Sequence, residues 1–66
     1  MPANFILIDN KKYLWDGKTY DTRNDAVKTS ETYKGDRFEV QILEGPSEKA
    51  DAPDAGAYFV YTRRLA

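Results

Sequence analysis

The sequence predicts a small α+β domain in which one helix packs on one face of an antiparallel sheet, with element order β-β-β-α-β-β. Three observations carry this. Phe38-Glu39-Val40-Gln41-Ile42 alternates apolar and polar residues, with β-branched Val40 and Ile42, which is the period of a half-buried strand. A segment with helix start and stop signals, residues 22–35, delivers the chain to it. The apolar run Ala57-Tyr58-Phe59-Val60-Tyr61 is the natural strand to return beside it.

Taken in order, Phe5-Ile6-Leu7-Ile8 is a short strand without clean alternation, so either both faces are covered or one is left exposed by function. The expected register buries Ile6 and Ile8, and a slip of one residue would exchange them for Phe5 and Leu7. Asp9-Asn10-Lys11-Lys12 reads as a turn, and Tyr13-Leu14-Trp15 resumes the strand pattern. Asp16-Gly17 is a local hairpin signal, because a type I′ turn needs positive φ at both central residues. Lys18-Thr19-Tyr20 then becomes a returning strand, giving a meander of residues 5–8, 12–15 and 18–20.

Thr22 is a suitable N-cap, with Asp25 in the acidic position of a capping box. The helix should run from Arg23 to Lys34, with Gly35 as the C′ residue. Ala26, Ser30 and Tyr33, with Val27 beside them, give one thin apolar face, so packing under the sheet must hold this helix. Phe38 to Leu43 is expected to be the central strand. Residues 44–56 carry two Pro, two Gly and four acids, a composition that suits a flexible acidic surface loop. The last strand begins at Ala57 and carries rings on both faces. The expected core is Ile6, Ile8, Leu14, Ala26, Val27, Tyr33, Phe38, Val40, Ile42, Tyr58 and Val60.

At 66 residues the chain has room for one domain, spanning residues 1–66. A chain of this size buries only about 60% of its unfolded surface, so its stability margin is thin. The composition, 41% hydrophobic and 32% charged, is too apolar for a wholly disordered chain and too charged for a membrane-spanning one. With no Cys and no His, disulfides, thiolate nucleophiles and imidazole acid–base chemistry are excluded, and structural zinc lacks its usual ligands. Phe5 to Ile8 is far too short for a spanning helix. The chain is therefore read as cytoplasmic and non-membrane.

The expected binding surface is an aromatic sheet face. If one helix covers one side of the sheet, rings on the other side meet water or a partner. Its members are Tyr13, Trp15, Tyr20, Phe59 and Tyr61, with Arg63 and Arg64 at the edge. The preferred reading is a small non-catalytic protein-interaction or accessory protein that uses this face or an edge strand to meet another protein or a second copy of itself. Against it stands the need of so small a chain to spend most of its rings on a core.

The alternative is a single-stranded nucleic-acid-binding module, with bases stacked on the rings, the two arginines on phosphate and Lys11, Lys12 and Lys18 as a rim. The formal net charge of −1 and the acidic run just before the last strand count against it. Catalysis would need two carboxylates flanking a pocket, such as Asp16 or Asp21 with Glu39, and no nucleophile is specified, so no enzymatic activity is expected. Asp9, Asp16, Asp21 and Asp25 lack the spacing of a calcium loop. No metal and no cofactor is expected.

Overall fold

A computed structural model describes residues 3–45 and 56–65. Its elements are β1 (Phe5–Ile8), β2 (Lys11–Tyr20), α1 (Arg23–Gly35), β3 (Phe38–Gly45) and β4 (Ala57–Arg64). The sheet is antiparallel throughout in the order β1-β2-β4-β3, with the helix packed on one face. The α+β class is therefore as the sequence predicts. The expected loop falls mostly in 46–55, outside the described residues.

Two expectations about the strands change. Asp9 and Asn10 take φ values of 51° and 65° and join Ile8 to Lys11 as a two-residue hairpin turn of the I′ kind. Asp16-Gly17, expected to do the same, does not reverse the chain. Trp15 pairs with Tyr61 and Thr19 with Phe59, so three residues of β2 stand opposite Val60 alone. The result is a bulge within one long strand, and the element order becomes β-β-α-β-β.

The local chemistry is still that of a turn. Gly17 has φ +83°, the Asp16 carboxylate accepts from the Lys18 amide at 2.9 Å, and the Trp15 indole donates to the Lys18 carbonyl at 3.0 Å. Because the excess is two residues, the strand resumes with each side chain on its original face.

The central strand is also different. Phe38 to Leu43 lies at an edge, and β4 is inserted between β2 and β3. The continuous apolar run of β4 is the signature of a strand covered on both faces, whereas β3 interrupts its apolar residues with Glu39 and Gln41. Antiparallel pairing of both β2 and β3 to β4 makes β2 and β3 parallel to each other, and such strands need a crossover. The helix is that crossover. Its links are only Asp21-Thr22 and Asp36-Arg37, so it cannot stray from the strands it joins, and it lies chiefly over β3 and β4.

Helix entry follows the sequence: the Thr22 hydroxyl accepts from the Asp25 amide at 3.2 Å. The exit shifts. Gly35 is the last helical residue, Asp36 donates back to the Thr32 and Tyr33 carbonyls, and Arg37 takes the left-handed conformation at φ 65°. Ala26 and Ser30 are the buried helix residues. Both are small, and the Ser30 hydroxyl donates into its own helix at the Val27 carbonyl, so the helix presents no unsatisfied polar group to the sheet.

The core departs from the expected list. Val60, buried on the helix side, and Ala26 are as expected, but Leu14 is exposed and the other expected members are half-buried. The buried cluster is Tyr13, Ala57, Phe59 and Tyr61, with Ile6, Ile8 and Trp15 packed against it. It lies on the opposite face of the sheet from Val60, because side chains alternate along β4. Gly45 belongs to its wall: a Cβ there would stand 3.0 Å from the Phe59 ring.

Candidate functional site

The aromatic face expected as a binding surface is not one. Tyr61, Phe59 and Tyr13 are 1%, 7% and 4% exposed, and they are the core. The Trp15 ring stands edge-on to Phe59 at 6.4 Å and 81°. The Tyr61 hydroxyl donates to the Ala3 carbonyl at 2.7 Å, so the chain before β1 closes on it. Burial pushes the Tyr61 phenol up from its ordinary pKa. Rings buried to this extent leave no platform for a base or a partner side chain. Both the aromatic interaction surface and its single-stranded nucleic-acid alternative are therefore corrected.

The remaining members of that expected site are separated. Tyr20 lies on the helix side of the sheet, where its hydroxyl donates to the Asp16 carboxylate at 2.7 Å and that of Tyr33 to the same oxygen at 3.3 Å. Burial first, then the hydrogen bond to Asp16, pushes Tyr20 up to about 12. This carboxylate ties the bulge to the helix. Arg63 is half-buried and ion-paired with Glu39 at 3.6 Å, and the same Glu39 oxygen accepts from the Tyr13 hydroxyl at 2.7 Å. That bond lowers Glu39 and raises Tyr13. Arg64 is exposed.

Asp16 and Glu39 sit on opposite faces of the sheet, so they cannot flank one pocket. Among the described residues no group of three acids is placed to hold a metal, and no helix is long and apolar enough to cross a membrane.

A different surface emerges on the helix side, over the strands the helix does not cover. Phe5 pairs with Leu14, and Leu7 follows on the same face of β1. These three are 46%, 53% and 66% exposed. Together they form an apolar patch of a few hundred Å², the size that marks an interaction site on a small protein. The Lys12 ammonium stands 4.6 Å over the Phe5 ring, a contact that places one positive charge at the margin of the patch.

Among the described residues, the backbone beside the patch also has no strand paired to it. The Trp15 amide donates to the Asn4 carbonyl at 2.9 Å, which makes residues 4 and 15 a hydrogen-bonded pair of the β1–β2 ladder. Antiparallel ladders alternate, so Ile6 and Ile8 face inward to β2 while the amides and carbonyls of Phe5 and Leu7 point away from it. Among the described residues no strand lies beyond β1. The same two residues thus combine an exposed apolar side chain with backbone hydrogen-bonding groups directed away from β2. The non-alternating run of residues 5–8 leaves two readings open, both faces covered or one exposed, and the structure exposes Phe5 and Leu7. Leu14 carried no sequence signal, because its outward position depends on where the helix lies.

No family model matches the chain, and neither the curated proteins nor the solved structures contain a significant match.

Proposed function

We propose that this protein is a small non-catalytic association module that binds an extended segment of another polypeptide along the edge of β1. The observation that supports it is the coincidence at Phe5 and Leu7 of exposed apolar side chains with outward-facing backbone groups. Strand addition uses both features: the backbone bonds supply affinity, and alternate side chains supply selectivity. The surface differs from the aromatic one in face and in membership. The other edge, β3, carries Glu39 and Glu44 among its apolar residues, the device by which sheets discourage added strands.

The test is an amide NMR titration with a short acetylated peptide alternating Val and Thr. Binding at β1 should move the Phe5 and Leu7 amides and slow their hydrogen exchange while leaving β3 unchanged, and Leu7→Lys should abolish the response without loss of spectral dispersion. Shifts confined to the Tyr13 and Tyr61 region, or none at any peptide concentration, would overturn the proposal.

A further inference from the structure

We infer that the segment received by the β1 edge is the β1 strand of a second copy, paired about a two-fold axis normal to the sheet. This rests on the reading of β1 as the binding edge and adds the identity and register of its occupant.

The backbone phase selects the register. Within β1 it is Phe5 and Leu7 that direct hydrogen-bonding groups outward, so an antiparallel copy of β1 must place its own Phe5 and Leu7 against them. A two-fold axis through Ile6 does this: Phe5 meets Leu7 of the copy, Leu7 meets its Phe5, and Ile6 meets Ile6. Four backbone bonds form, with both residues of each hydrogen-bonded pair used. The interface is isologous, as the commonest dimers are.

The side chains agree with the backbone. Partners across an antiparallel ladder share a face, and Leu14 pairs with Phe5, so each half of the dimer gains a row of Leu14, Phe5 and the copy's Leu7. No residue of β1 is charged, so the two copies bring no like charges into register along the strand. The helices do not obstruct approach, since they lie chiefly over β3 and β4, at the far side of each sheet.

Size sets the strength. Two patches of a few hundred Å² fall short of the roughly 1,200 Å² at which specific interfaces become stable. Association is therefore weak and visible only at high protein concentration.

The decisive experiment uses sedimentation equilibrium on the full chain and two charge variants. Wild type should shift from 7.6 kDa toward twice that mass with rising concentration. Leu7→Lys and Phe5→Glu should each lower the association constant at least about tenfold. An equimolar mixture of the two should restore it, because the mixed dimer sets the new lysine against the new glutamate and keeps one Phe5–Leu7 pair. A mixture no better than either variant alone would overturn this register. A wild type that stays monomeric at every concentration, while the Val/Thr peptide still protects Phe5 and Leu7, would remove the second copy and leave the edge reading standing. Failure of both would remove both.

Discussion

Truncation of Tyr61 separates a core residue from a binding residue. Its ring is 1% exposed at the centre of the buried cluster. Replacing a fully buried large aromatic residue with Ala costs about 3–5 kcal/mol, from lost burial and the cavity left behind. A chain of 66 residues at about 0.05–0.15 kcal/mol per residue has only about 3–10 kcal/mol to lose. Tyr61→Ala should therefore sit at or beyond the limit of folding at room temperature. Tyr61→Phe removes only the hydroxyl that donates to the Ala3 carbonyl, which costs about 1 kcal/mol. The exposed Phe5 supplies the contrast, since Phe5→Ser should change stability by no more than about 0.5 kcal/mol. Urea unfolding followed by far-ultraviolet circular dichroism and Trp15 fluorescence measures all three. If Tyr61→Ala unfolds cooperatively within about 1 kcal/mol of wild type, the ring is not a core member and the reasoning fails.

Two further tests probe the helix exit and the polar tie beneath it. Arg37 holds the left-handed conformation at φ 65°, which costs a non-glycine residue about 1 kcal/mol, so Arg37→Gly should raise the urea midpoint; a lowered midpoint would mean the arginine side chain makes a contact that outweighs the strain. Tyr20, raised to about 12, releases its proton more readily when unfolded, so its contribution to stability is complete below its ordinary pKa of 10.0 and is lost as pH rises through the folded value. The midpoint should fall most steeply between about pH 10 and 12, less steeply in Tyr20→Phe, and equal slopes for the two proteins would refute the assignment.

The features legible in the sequence are those decided by neighbours along the chain. The helix start at Thr22 depends on one hydroxyl reaching an amide three residues on, and the turn at Asp9-Asn10 on two residues that tolerate positive φ. The class of the fold follows from where apolar residues recur, and the weak alternation of residues 5–8 already allowed that one of their faces is exposed. Asp16-Gly17 marks the boundary of this legibility. Its Asx hydrogen bond and glycine conformation serve a hairpin and a bulge equally well, and only the partner strand beyond Trp15 decides between them.

What the tertiary structure alone decided is which surfaces meet. Four strands that each carry apolar residues on both faces can be ordered in several ways. The strand order puts β4 in the centre, and the aromatic rings are a core rather than a surface. The short links of the helix then hold it over β3 and β4, and that placement leaves Phe5, Leu7 and Leu14 open to solvent. Burial depends on residues distant in sequence, so no local pattern in this chain specifies it; the identities of the strands and the helix, which rest on local geometry, are written in the order of its residues.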